Sequence, residues 1–476
     1  MVYKTGQRNQ LSMMPKTVED YVTENDPVRA YDAFVEALNF SKLGIIESEN
    51  RPGNTAYDPK AMMKLLIYGY SYGIRSSRKL ERATYHNISF IWLIGGLKPD
   101  HKTIANFRKN NKEALKKCLK QSAELCIELN LIEGNTLFLD GTKIRANASI
   151  NQTKTKEKLE KELIDIDSRI EEILKECEQS DAIESGSLVE MADELKDKKK
   201  LQIKISTLVK KMETENKDNI NFTDPECTNM KGRQGSHASY NAQTVADGKY
   251  GLIINTEVVN KNNDLEQFST QIEGANKVLG KDCTIACADA GYANTTNLKT
   301  TLNKGITVVV PSQKQASHNP NATNPFSKDK FKYDKTNNCY ICPEGNELKS
   351  AGYTKDRKQI TYQIRRKNIC VTCKQYGVCT KNKIGRSISR LENEETKEVI
   401  EGIYATDMGQ EIYKKRKEKV ELIFGHIKRN LNGGAFLLRG LEGVNAEMAI
   451  NGTCFNIVRM ITILGGVRSM VKKLAC

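Results

Sequence analysis

A chain of 476 residues, 38% apolar and 28% charged, is long enough for roughly two to four compact units. It has no run of about 18 apolar residues, which excludes a simple helical membrane span. The start, Met1-Val-Tyr-Lys-Thr-Gly-Gln-Arg, lacks the apolar centre of a secretory signal, and thirteen cysteines are an odd number, so cytoplasmic residence without a disulfide framework is expected.

The net charge of +15 is unevenly spread. Residues 60–117 carry 13 Lys or Arg against 3 Asp or Glu, residues 326–386 carry 15 against 5, and residues 408–476 carry 12 against 5. Blocks of this kind suit a polyanion partner, because contacting phosphates releases condensed counterions. Charge alone suits a generally basic protein equally well.

In chain order, residues 12 to 50 read as short helices punctuated by Asp26-Pro and Pro52-Gly. Asp58-Pro starts a helix, and Ala61 to Tyr72 is apolar on most faces, as in a buried helix. Ser76 or Ser77 caps another, with Glu81 available to complete a capping box. After Gly95-Gly96, Asp100 starts the basic helix of Lys102-Thr-Ile-Ala-Asn-Phe-Arg-Lys, and the pair suggests a helix-turn-helix. Thr136 to Asp140 is a strand whose continuous apolar run fits a position covered on both faces. From Lys154 to Lys217 the pattern is helical. Leu159, Leu163, Ile166, Ile170 and Ile173, then Leu201, Ile205, Leu208 and Met212, predict an antiparallel hairpin broken near Ser185-Gly186-Ser187. It is either a protruding insertion or a dimerisation device. Tyr240 to Ala246, a turn at Asp247-Gly-Lys, and Tyr250 to Val259 form a strand pair. Asp264 to Leu279 is helical, Thr284 to Asp289 a strand, Asn294 to Asn303 a helix and Ile306 to Pro311 a strand.

Three acids stand out. Asp140 and Asp289 end apolar strands, and Glu421 lies on a basic helix. A carboxylate at the tip of a buried strand is costly unless a cation compensates it. Together the three could hold two divalent ions, the arrangement used for in-line displacement at phosphorus. Lys428 lies two helical turns after Glu421 on the same face, whereas α-helical geometry puts Arg416 about 140° off that face. Lys143 and Arg145 follow the first acid and are candidates for the DNA backbone. His237 and His426 fit an auxiliary site role or a hydrogen-bonded structural role. A second constellation is Cys339, Cys342, Cys370, Cys373 and Cys379: two C-x-x-C pairs at structural zinc spacing, with Cys379 either replacing one thiolate or standing free.

The segments "LDGTKIRANAS", "ADAGY" and "VELIFGHIK", in that order, resemble bacterial insertion-sequence transposases of the DDE type. Tyr57 to Asn111, with "SSRKLERA" and "KPDHKTIANFRK", is similar to their N-terminal domain, so the likeness spans nearly the whole chain. One spacing departs from the commonest signature of the wider class: four residues, not three, separate Arg416 from Glu421.

The order of elements matches an α/β ribonuclease-H-like mixed sheet, whose catalytic acids fall where Asp140, Asp289 and Glu421 stand. The expected organisation is an N-terminal helical DNA-binding domain at 1–130 and a core at 131–311 containing the helical hairpin 152–217. A zinc-ribbon-like, cysteine-bearing insertion follows at 312–406, with the last core helices at 407–476. The resemblance implies metal-dependent cleavage and strand transfer on double-stranded DNA, both terminal inverted repeats and target. It also implies two Mg²⁺ or Mn²⁺ ions on Asp140, Asp289 and Glu421, a homodimer on DNA, and a bacterial, nucleoid-associated life. A nuclease of the same fold without strand transfer, or a non-catalytic DNA-binding descendant, would share most of these features.

Overall fold

The computed structural model describes residues 16–45, 56–180, 188–232, 235–317, 325–356, 358–365 and 367–475. The sequence breaks at Pro52-Gly and Ser185-Gly186-Ser187 lie outside the described residues. The fold is mixed α/β with an N-terminal helical region. Contacts divide the chain into two compact units. One comprises the described parts of Met1–Asp264, Thr270–Thr284 and Lys415–Cys476, and the other Leu265–Ser269 and Ile285–Lys414.

The first unit opens with α1 (Pro27–Glu36), whose N-cap Asp26 accepts from Val28 N, and α2 (Pro59–Ser71), capped by Asp58. In both, proline occupies the first turn, where its missing N–H costs nothing. The apolar faces of α2 are buried, as their pattern predicts. The expected helix pair is α3 (Ser77–His86) and α5 (His101–Asn110), but a short helix, α4 (Ile88–Leu93), intervenes, capped by Asn87. His101 Nδ1 lies 2.8 Å from Glu81 Oε2, tying α5 to α3. Of the basic residues in this block, Arg78, Lys79, Arg82, Lys102 and Lys109 are exposed. Arg75 and Arg108 are buried, and Arg108 donates to Tyr70 Oη at 3.1 Å and to the Arg75 carbonyl at 2.9 Å. Part of the positive charge here is structural. Helix α6 (Lys112–Glu128) completes the region.

Strand β1 (Thr136–Arg145) pairs antiparallel with β3 (Gly235–Asp247), Asp140 standing across from Thr244. The far edge of β3 is shared by β2 (Thr228–Gly232) and β4 (Ile253–Val259), both antiparallel. Strand β1 runs five residues beyond the expected Asp140, because β3 continues alongside it to Ser239. The predicted helical hairpin is present as α7 (Lys156–Ser180) and α8 (Leu188–Glu215). Leu159, Ile166, Ile170, Ile205, Leu208 and Met212, all heptad-like positions read from the sequence, form its core, joined by Ile220 from beyond the second helix. Helix α9 is Phe268–Leu279.

In the second unit, β5 (Ile285–Cys287) and β6 (Thr307–Val309) pair in parallel, with α10 (Thr295–Leu302) between them in sequence. The cysteine-bearing stretch is a five-stranded antiparallel sheet, ordered β11-β10-β9-β8-β7. Its strands are β7 (Lys332–Asp334), β8 (Cys339–Ile341), β9 (Glu347–Thr354), β10 (Gln359–Gln363) and β11 (Ser387–Leu391). Phe331, Tyr340, Leu348, Tyr362 and Ile388 form its core. Helices α11 (Glu394–Ala405) and α12 (Asp407–Arg416) follow.

A π-helical turn at Lys417–Glu421 leads into α13 (Leu422–Arg429), then α14 (Gly440–Ile463) and α15 (Val467–Leu474). Among the described residues, no single helix is long and apolar enough to cross a membrane. Helix α14 carries fully buried polar side chains: Glu447, Thr453 and Asn456 have hydrogen-bond partners, whereas the side-chain amide of Asn451 has none among the described residues. Ile253 N donates to Asn456 Oδ1 at 2.8 Å, and Asn456 Nδ2 returns a bond to the Ile253 carbonyl at 2.8 Å. Asn445 repeats this exchange with Val258 at 2.8 and 3.0 Å. The two asparagines are eleven residues apart on a helix, roughly 16 Å, and their strand partners are five apart on β4, also roughly 16 Å. Two side-chain amides therefore satisfy backbone groups along β4 that no strand pairs. Glu447 bonds Arg75, and its other oxygen accepts from Leu437 N and Leu438 N at 2.8 and 3.0 Å.

Asn456→Ala is expected to destabilise the protein by about 3 kcal/mol, since it strands both Ile253 backbone groups inside the unit; urea unfolding followed by circular dichroism measures this. His426, on α13, is T-stacked on Phe455 at 5.4 Å, and burial holds its pKa below the ordinary 6.5. The unfolded chain then takes up that proton more readily, so stability should fall as pH drops through about 6.5. The urea midpoint should decrease between about pH 7 and about pH 5.5, and His426→Gln should shrink that decrease.

Candidate active site

The first unit brings three of the singled-out residues together. Asp140 follows Leu137, Phe138 and Leu139, all buried, at the point where β1 emerges from its apolar run. Its carboxylate accepts from Gly141 N at 3.0 Å. Arg416 Nη1 stands 3.5 Å from Asp140 Oδ1, and Arg416 Nη2 stands 2.9 Å from Glu421 Oε1. The guanidinium thus spans an aspartate of the sheet and a glutamate of the helix. Its side chain is only 9% exposed, against 14% for Asp140 and 46% for Glu421.

The expected 140° offset between Arg416 and Glu421 is overturned. It assumed a regular α-helix, and the backbone here makes a π turn over Lys417–Glu421. Hydrogen bonds from residue i to i+5 widen the turn, so side chains five apart stand over one another. Further along, Lys428 Nζ reaches Thr142 Oγ1 at 2.6 Å. Arg416, Glu421 and Lys428 therefore follow the exit of β1, in contact with Asp140 and Thr142.

Strand alternation separates the other candidates. Asp140 and Thr142 share one face of β1, whereas Lys143 and Arg145 belong to the opposite face. Lys143 Nζ donates to the Lys231 carbonyl at 2.8 Å, and Arg145 Nη2 lies 3.2 Å from His237 Nε2. His426 packs on Phe455 and accepts at Nδ1 from Asn430 Nδ2 at 3.1 Å. Asp289 belongs to the second unit, where it caps a single 3₁₀ turn, Ala290–Tyr292, and accepts from Gly291 N at 2.8 Å.

Two residues escaped the sequence reading. Thr142 is the acceptor that anchors Lys428. Thr244, directly across from Asp140, is fully buried, and its hydroxyl has no hydrogen-bond partner among the described residues. Only strand pairing reveals it, because Thr244 is remote from every acidic segment in sequence.

The donor set suits a hard divalent cation. Two carboxylates already share one positive group, with an unpartnered hydroxyl across the ladder, and oxygen is the ligand that Mg²⁺ and Mn²⁺ prefer. No three His, Cys, Asp or Glu among the described residues form a group that could hold a metal ion.

The cysteines divide by strand parity. Tyr340 faces the sheet core together with Leu348 and Tyr333, its partners across the ladder. Cys339 therefore faces the other way, its charged neighbours being Glu347, Asp334 and Lys349. Cys342, Cys370 and Cys379 pack against the core. Cys379 is pushed up by burial, drawn back by Arg386, and repelled by Cys370, Cys342 and Cys373. Backbone N–H groups aim at three of these sulfurs: Asn346 N at Cys342 Sγ (3.3 Å), Gln375 N at Cys373 Sγ (3.4 Å) and Arg386 N at Cys370 Sγ (3.4 Å). Cys339 opens β8 and Cys342 follows its last residue, so the C-x-x-C spacing does not by itself set the two side chains on one face.

No curated protein matches the chain. Residues 16–110 match a family described as a transposase domain, and residues 341–461 match one described as a transposase DDE domain. The second stretch contains Arg416, Glu421, Lys428 and the four clustered cysteines; Asp140 and Asp289 fall outside both. Together the two matches support an insertion-sequence transposase of the DDE type.

Proposed function

We propose that this transposase cuts the ends of its own element and joins them to target DNA, with Asp140, Asp289 and Glu421 as the acids that hold two divalent ions. The single observation that carries the reading is the convergence of Asp140 and Glu421 on one guanidinium, at 3.5 and 2.9 Å. Carboxylates remote in sequence are seldom brought within reach of one buried cation without a functional or structural demand. Bound divalent ions would supply Lewis acidity to the attacking and leaving oxygens of the phosphodiester. Asp140, set in a central strand, and Glu421, set on a helix, hold their oxygens in place. Lys428, anchored on Thr142 beside them, would hold a phosphate of the bound strand. A ribonuclease-H-like core accounts for the antiparallel β1, β3 and β4, the parallel β5 and β6 and the late helix bearing Glu421. The N-terminal helices, with Arg78, Lys79, Arg82 and Lys102 exposed, are the proposed reader of terminal inverted repeats, and two copies would hold the paired ends.

Asp140→Asn, Asp289→Asn and Glu421→Gln should each lower Mg²⁺-dependent cleavage of a labelled element end by more than ~100-fold. Parent-level cutting by Asp140→Asn would remove the proposal. Cut ends that never become joined products would leave a nuclease instead.

A structural zinc is proposed on Cys342, Cys370, Cys373 and Cys379, with Cys339 outside it. Four thiolates at one end of a small sheet suit a closed tetrahedral site, and uptake of the ion would draw the sulfurs to bonding distance. Elemental analysis should find about one zinc per chain, retained by Cys339→Ser and lost in Cys373→Ser. Zinc loss on Cys339→Ser, or no zinc in the parent, would refute the assignment.

A further inference from the structure

We infer that Arg416 is a displaceable stopper of the metal site: its guanidinium holds Asp140 and Glu421 together in the ion-free protein and must withdraw before a divalent ion is taken up. This rests on the reading of Asp140 and Glu421 as metal ligands.

Four observations support it. The guanidinium uses two nitrogens on two different carboxylates, Nη1 on Asp140 and Nη2 on Glu421, rather than both on one. It occupies the space between the two acids that an ion shared by them would occupy. Arg416 is 7% exposed and the Asp140 side chain 14%, so this pair is largely shielded from the screening that weakens surface bridges, while Glu421, at 46%, is shielded less. The contact to Glu421 also depends on the π turn at Lys417–Glu421, a local irregularity that is frequent at functional sites. Two carboxylates near one another repel, and one guanidinium between them offsets that repulsion. A divalent ion does the same with twice the charge, and a guanidinium beside it would then be repelled. The two cations are therefore alternatives. No bond is made or broken; the exchange is one of ion pairs.

The apparent ion affinity should carry the cost of moving Arg416, as for any ligand whose competent state is only fractionally populated. Mn²⁺ binding to the full-length chain, read by electron paramagnetic resonance without DNA, tests this. Arg416→Ala should bind Mn²⁺ about tenfold more tightly than the parent. Arg416→Lys, which keeps a positive charge, should fall between the two. A second reading is thermal: the ion-free Arg416→Ala protein should melt below the parent and gain more from added Mn²⁺. Affinity in Arg416→Ala equal to or weaker than the parent's would overturn the inference and leave Arg416 a structural brace. Asp140→Asn separates the two claims. If it binds Mn²⁺ as the parent does, the metal-ligand reading falls and this inference with it. If it loses Mn²⁺ while Arg416→Ala matches the parent, only the stopper falls.

Discussion

Satisfying buried polar groups along α14 is the constraint on which the first unit depends. A sheet ends somewhere, and the backbone groups at its last strand need partners. Here β4 receives Asn445 and Asn456 of α14 at Val258 and Ile253. The match works because eleven helical residues and five strand residues span nearly the same length. A further turn of α14 carries Glu447, fully buried, whose charge is acceptable only because Arg75 and two backbone N–H groups surround it. Arg75 also donates to the Ala435 carbonyl. One helix thus fastens the N-terminal helices, the sheet and the segment after α13 into a single compact unit.

The placement of the acids follows from that rigidity. Asp140 is fixed by the three buried residues before it and by its ladder with β3. The helix bearing Glu421 is held independently. Val420, Ile423 and Ile427 are buried, and Lys419 Nζ donates to the Lys249 carbonyl at 2.9 Å. Gly251 lies so close to this helix that an added Cβ would come within 3.2 Å of the Lys419 carbonyl, and its φ of +68° independently favours glycine there. Strand and helix each carry their acid on a supported element, as a site that must hold precise geometry requires.

Much of this was legible in the sequence, for identifiable reasons. The helical hairpin was visible because Leu159, Ile166, Ile170, Ile205, Leu208 and Met212 keep helical spacing, and all of them form one core. The buried α2 and the apolar start of β1 were visible because neither has a polar face. Asp140, Glu421 and Lys428 could be singled out from their settings. What could not be read depended on pairing or on local backbone irregularity. Thr142 and Thr244 gain meaning only from contacts remote in sequence. The five-stranded sheet around Tyr340 and Tyr362 is built from short, polar strands with weak alternation. The spacing groups Cys339 with the other thiols, because spacing along a chain does not say which face of a strand a residue occupies.

The stretch from Arg416 to Glu421 shows most directly how spacing can mislead. Counting residues on an ideal α-helix separates the two side chains by about 140°, and the extra residue relative to the commonest signature made Arg416 look displaced. The backbone absorbs that residue as a π turn, and Arg416 ends 2.9 Å from Glu421. An inserted residue in a helix has two outcomes: it rotates everything beyond it by about 100°, or it is accommodated within one widened turn. Rotation would have swung Glu421, Ile423 and Ile427 together, exposing apolar groups that are now fully buried. Burying Ile423 and Ile427 and keeping the acid at the exit of β1 thus favour the same solution. The helix tolerates a poorer hydrogen-bond geometry in one turn because its packing on both sides of that turn remains in register.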